Sequence, residues 1–214
     1  CADMNEAFSQ SFTMKGVLYL MDGKTYRAVR KSSKNTVWEA VSVSDTAYVP
    51  TTTISAAPTG GGTSYEAVNL LTPKRINTFI GDGTATQFKV DAADLDETAV
   101  TAEVNGSAVT VSAVNRSTGL VTLAAAPANG NGLANVSIAF AKTVSGHADK
   151  INKCRFAGLY GGKNDTRVFL SGNPDEPDCD WQSGLYDPTY FPDTGYTRMG
   201  TDASAIRILS VKKL

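Results

Sequence analysis

The sequence predicts an all-β chain built of antiparallel sheets, and three observations carry that expectation. Asp22-Gly23 and Asn105-Gly106 each separate two short apolar runs, where a hairpin turn demands the positive φ that Gly tolerates. Residues 76–141 hold short alternating runs with turn residues about every 8–12 positions, the rhythm of a β-sandwich. Residues 161–200 are rich in Pro, Gly and aromatics and poor in helix formers.

Length and charge narrow the field. At 214 residues the chain can hold one large or two small domains. A net charge of −1 gives no reason for long-range attraction to nucleic acid or to an anionic membrane. No run approaches the roughly 18 apolar residues of a membrane-spanning helix. A sequence opening on Cys1, with no basic segment leading into an apolar core, reads as a piece of something longer without a signal peptide. The three cysteines, Cys1, Cys154 and Cys179, have unrelated spacings. That pattern argues against a disulfide framework or a zinc site and reads as thiols in a reducing compartment.

From the start of the chain, Ala2–Gln10 reads as a short helix. Val17–Leu20, Thr25–Val29 and Thr36–Val43 then read as a three-stranded meander, the first two joined at Asp22-Gly23. Residues 48–75 form a connector, because Pro50, Pro58 and Gly60-Gly61-Gly62 forbid a long regular element. The glycines do not make a phosphate loop, which needs GxxxxGK[ST]. Val68, Leu70 and Leu71 tack this connector onto a neighbouring surface.

The next unit alternates most clearly. Gln87–Val90, then Val100, Ala102 and Val104, then Val109 and Val111, then Leu120–Leu123 and Val136–Phe140 read as strands. With only Phe79, Phe88 and Phe140 as aromatics, the core should be thin. The stretches FIGDGTATQFKV, VTAEVNGSAVT, STGLVTLAAAPANG and VSIAF resemble a small β-sandwich repeat of tailed-phage structural proteins. The resemblance covers about a third of the chain and implies a sandwich.

His147, alone in a polar loop, reads as a solvated residue. Residues 141–170 are locally basic and 171–200 acidic, with six carboxylates against one arginine. Two strands, Cys154–Tyr160 and Thr166–Ser171, flank a turn at Gly161–Asp165, and Ala205–Val211 reads as the last strand. Four residues that precede proline, Asn173, Glu176, Asp187 and Phe191, are pushed out of the helical region. Trp181, Tyr186, Tyr190, Phe191 and Tyr196 can then pack an irregular loop against a sheet. The run RVFLSGNP followed by WQSGLYDPTYFPD resembles a region of large phage and prophage structural proteins that lies in a β-propeller-like body. Residues 12–49 and 151–214 supply about two blades of such a body. The expected organisation is a discontinuous, propeller-like body of residues 12–57 and 146–214, a linker at 58–75 and an inserted sandwich at 76–145.

Chemistry is hard to read into this chain. Asp178-x-Asp180-x-Gln182 opens like a calcium loop, but Gly184 comes one residue late and Thr189 stands in place of the bidentate Glu. Asp180 and Asp187 offer a carboxylate pair without a defined separation. The serines at 171 and 183 lack the context of a nucleophile elbow. The sequence therefore predicts no catalytic residue, no metal site and no cofactor. Asp175, Asp178, Asp180, Trp181, Tyr186, Tyr190 and Phe191 are expected to form a contact surface.

The resemblances imply a structural component of a bacteriophage virion, in its tail, neck or hub region, assembled in the host cytoplasm. It would act through contacts with other virion proteins or with copies of itself, not as an enzyme. The alternative is a tail module that binds a host-surface receptor or a glycan, with Trp181, Tyr186 and Tyr190 as a stacking platform. Neither reading involves a membrane, and nucleic acid is not indicated.

Overall fold

The computed structural model describes residues 4–5, 8–32, 34, 36–161 and 166–200. In chain order the strands are β1 (Gln10–Met14), β2 (Val17–Met21), β3 (Tyr26–Lys31), β4 (Trp38–Ser42), β5 (Thr51–Ala56), β6 (Thr63–Ser64), β7 (Lys74–Phe79), β8 (Gln87–Lys89) and β9 (Thr101–Val104). They continue with β10 (Ser107–Val109), β11 (Val111–Asn115), β12 (Leu120–Leu123), β13 (Val136–Ala141), β14 (Phe156–Tyr160), β15 (Arg167–Ser171), β16 (Cys179–Gln182) and β17 (Tyr196–Arg198). A 3₁₀ turn (Val43–Thr46) and a short helix α1 (His147–Asn152) complete the set among the described residues. The chain is all-β, and no described helix is long and apolar enough to cross a membrane. The expected helix at Ala2–Gln10 falls partly outside the described residues; Met4, Asn5, Phe8 and Ser9 are irregular, and Gln10 opens β1. The expected strand Ala205–Val211 lies outside the described residues, as does most of the turn at 161–165.

The chain divides into two units, one of Cys1–Tyr48, Asn69–Thr72 and Ser145–Leu214, the other of Val49–Val68 and Pro73–Val144. This differs from the expected boundaries at both ends of the connector. Residues 49–57 belong with the second unit because Thr51–Ala56 is a strand of its sheet, and Asn69–Thr72 belongs with the first. Little is left to serve as a linker at 58–75.

Among its described residues the first unit holds two four-stranded antiparallel sheets, each in simple sequential order: β1-β2-β3-β4 and β14-β15-β16-β17. Hairpins set the registers. Lys15 and Gly16, both at positive φ, form a two-residue turn between Met14 and its partner Val17. Asp22-Gly23 does not make the two-residue turn its sequence suggests. Met21 pairs with Tyr26, so the loop has four residues, and only Gly23 takes positive φ. The fully buried Asp22 carboxylate organises it, accepting from the backbone N–H of Lys24 (2.9 Å), Thr25 (2.6 Å) and Asn5 and from the Thr25 hydroxyl. Burial alone would push that carboxyl up, but these donors together hold it below its ordinary value.

Both sheets feed one core. Tyr19, Met21 and Tyr26 come from the first sheet; Val168, Leu170, Cys179 and Trp181 come from the second. Asn69 ties loops of this unit together. Its amide donates to the carbonyls of Tyr48 and Thr189 (2.8 Å each) and accepts from the N–H of Leu71 (3.1 Å) and Phe191 (3.0 Å).

The second unit holds a six-stranded sheet, β10-β9-β13-β7-β5-β6, and a three-stranded sheet, β11-β12-β8. They share a core of Phe79, Ile138 and Phe140 on one side and Phe88, Val121 and Leu123 on the other. Asn105-Gly106 makes the two-residue turn its sequence predicts, with both residues at positive φ between the paired Val104 and Ser107. One pairing departs from the antiparallel expectation: β5 runs parallel to β7, with two register shifts.

Candidate functional site

Four of the seven residues expected to present a contact surface are interior. Trp181 is 1% exposed and Phe191 0%. Opposite residues of an antiparallel ladder share a face, so Trp181 joins its partner Leu170 on the core side of the second sheet. The Lys150 ammonium lies 5.1 Å from the Trp181 ring centroid, and the Tyr196 ring lies 5.1 Å away, tilted. Phe191 meets Tyr26 edge-on at 6.1 Å, and the Tyr26 hydroxyl donates to the Pro188 carbonyl at 3.0 Å.

The acidic run is likewise consumed by the fold. Arg198 bridges Asp178 (2.7 Å) and Glu176 (2.8 Å), Lys150 reaches Glu176 (3.4 Å), and Lys153 pairs with Asp175 (2.6 Å). A guanidinium therefore occupies the place where a calcium ion would need Asp178. Among the described residues no group of three or more His, Cys, Asp or Glu is arranged to hold a metal ion. Asp180 is 2% exposed, its Oδ1 has no hydrogen-bond partner, and burial pushes its carboxyl up to about 7. Asp187 spends Oδ1 on the backbone N–H (2.9 Å) and hydroxyl (2.6 Å) of Thr189. The Ser183 hydroxyl donates to the Gly184 carbonyl and accepts from the Val168 N–H, a fully buried structural role.

Four residues of the expected surface, Asp178, Asp180, Trp181 and Phe191, are thus corrected to the interior. Of the remaining three, Asp175 is exposed, while Tyr186 and Tyr190 are half-buried. Tyr190 rests 5.1 Å from the Tyr48 ring. Tyr186 takes φ 52°, uncommon for a bulky residue, and its N–H donates to the Thr166 carbonyl at 2.8 Å.

A different place gathers unspent polar groups. In the second unit, residues from three separate stretches surround an open cleft of about 510 Å³, within the size range of small-molecule sites. One oxygen of Asp91 accepts hydrogen bonds from Thr52 Oγ1 (2.5 Å), Thr53 Oγ1 (2.8 Å) and Asn77 Nδ2 (2.9 Å). Asn77, itself buried, accepts in return from the Asp91 N–H at 2.8 Å. These bonds fix the carboxylate, yet only Oδ2 is used. Two residues earlier lies Lys89. The intervening Val90 and the preceding Phe88 are in the core, so strand alternation sends Lys89 and Asp91 the other way. Gly60 and Gly61, both at positive φ, form the facing rim, and a Cβ at Gly60 would stand 3.2 Å from Lys89 Cγ. The cleft offers one anionic acceptor and one cationic donor on a small-residue floor that includes Ala56 and Ala92, a set suited to binding.

Sequence reasoning missed this cleft because its parts are scattered over residues 52 to 91 and form no motif. The one available signal was the triple glycine, read as a connector. No family model, curated protein or solved structure matches the chain.

Proposed function

We propose that the chain is a structural component of a tailed-bacteriophage virion, in its tail, neck or hub region, working through protein–protein contacts without catalysis of its own. In this reading the second unit is the small phage-type β-sandwich, its two sheets closing over one core. The first unit is the propeller-like body. Each of its sheets is a four-stranded meander, the element of which propeller blades are made. Two such sheets do not close a ring, so further copies would complete it. Cys154 and Cys179, both free thiols, fit assembly in a reducing host cytoplasm.

The observation that carries this reading is the edge strand β4. Among the described residues it has one neighbour, β3, and it opens on Trp38, 65% exposed, preceded by Val37, 61% exposed. Lys31 lies over the Trp38 ring at 5.9 Å and leaves most of it to solvent. An exposed apolar edge is a template for pairing with another chain. The alternative of a glycan-binding tail module loses its stacking platform at Trp181, which is buried.

Sedimentation of the full chain over a concentration series tests the assignment. The expected result is self-association that Trp38→Lys abolishes while the thermal midpoint stays unchanged. A chain that is monomeric throughout, with wild type and variant alike, overturns assembly through this edge.

A further inference from the structure

The cleft at Asp91 is more than a structural tie. The three bonds to Oδ2 suffice to lock the residues after β8 against β5 and β7. They leave Oδ1 without a donor among the described residues, on an exposed residue. Lys89 is half-buried, and among the described residues no ion pair or side-chain hydrogen bond engages its ammonium. Opposite charges two residues apart on one face would ordinarily pair with each other; here the clamp from Thr52, Thr53 and Asn77 holds the carboxylate instead. A fixed acceptor and an unengaged donor thus stand at separate points of one cleft, beside the backbone of Gly60 and Gly61.

We infer that this cleft binds a small zwitterion: a compact molecule carrying a protonated amine, received by Asp91 Oδ1, and a carboxylate, received by the Lys89 ammonium. Gly60 and Gly61, glycines at positive φ, carry no side chain on this stretch of rim, so ligand atoms reach their backbone. Binding rests on the two charges together. A ligand with only one of them leaves the opposite protein charge unmatched. A neutral sugar satisfies neither, and the floor of small residues gives its ring no aromatic face to stack on.

Amide chemical-shift titration of the full chain tests this, with glycine as the zwitterion and with acetate, methylamine and glucose as controls. The expected result is saturable shifts at Gly60, Gly61 and Asp91 with glycine, and roughly tenfold or weaker affinity for each single-charge control. Asp91→Asn keeps an oxygen for the three donors and removes the charge; Lys89→Met keeps the apolar stem. Each should weaken glycine binding by roughly tenfold or more while leaving the rest of the spectrum in place. No saturable shift with glycine, shifts of equal strength with glucose, or binding indifferent to both variants overturns the inference.

Discussion

Ser171 and Asp180 are directly paired across the β15–β16 ladder, both buried, and neither the serine hydroxyl nor Asp180 Oδ1 has a hydrogen-bond partner. A buried orphan carboxylate oxygen is tolerable only while the group is neutral. The Asp180 carboxyl is pushed up by burial to about 7 from 3.8, so the folded chain holds a proton that the unfolded chain releases near pH 4. Its contribution to stability is full below pH 3.8 and is lost progressively as pH rises to about 7. Across that window the loss is on the order of 4 kcal/mol. Urea denaturation at a series of pH values should show this decline, and Asp180→Asn should flatten it and be the more stable protein above pH 7. An unchanged slope in the variant would refute the assignment.

Asn69 saturates two carbonyls and two N–H groups from the 48, 71, 189 and 191 positions while 1% exposed. Asn69→Ala strands all four in the interior, and the expected loss is about 3 kcal/mol. Asn69→Asp should be worse still, since a carboxylate oxygen would then face two carbonyls. The denaturant midpoint reads both; an alanine variant within experimental error of wild type would mean that water replaces the side chain.

Legibility followed range in sequence. Asn105-Gly106 was readable because a two-residue turn is decided by the φ preferences of its own residues. Asp22-Gly23 misled because Asn5, seventeen residues away, joins the local N–H groups on a buried carboxylate and stabilises a longer loop. Lys15-Gly16 carries no such signal, because a lysine rarely takes positive φ. Thr51–Ala56 reads as connector between two prolines, and its pairing with β7 on one side and β6 on the other makes it a strand. The carboxylates at 176 and 178 are engaged by Arg198 and Lys150 from distant positions, which no local spacing announces. The Asp91 clamp likewise needs partners 14, 38 and 39 residues away.

Two glycines of similar φ should respond very differently to a methyl group. At Gly119, φ 69°, a Cβ would lie 1.9 Å from the Ala92 carbonyl oxygen, a backbone atom with no rotamer to escape into. Gly119→Ala should therefore cost about 3 kcal/mol. At Gly106, φ 75°, nothing lies within 4 Å. Only the left-handed backbone penalty applies there, and Gly106→Ala should cost about 1 kcal/mol. Thermal midpoints of the two variants check the order; equal losses would mean that the close approach at Gly119 relaxes freely.

Cys154 and Cys179 should be inert in the folded chain. Both are fully buried; the Cys154 thiol donates to the Lys150 carbonyl (3.1 Å) and the Cys179 thiol to Glu176 Oε2 (3.3 Å). Burial pushes both thiols up, Cys154 far above its ordinary range and Cys179 to about 11, the latter helped by its bond to the Glu176 carboxylate. The thiolate is the reacting species, so iodoacetamide at mildly alkaline pH should leave both unlabelled until denaturant is added, as read by peptide mass spectrometry. The same shift sets an alkaline limit. The protonated Cys179 thiol contributes stability that is intact below pH 9.0 and falls away as pH climbs through about 11, where a thiolate would face the Glu176 carboxylate. Labelling of Cys179 under native conditions at the rate of an open peptide thiol would show that the start of β16 separates from the core.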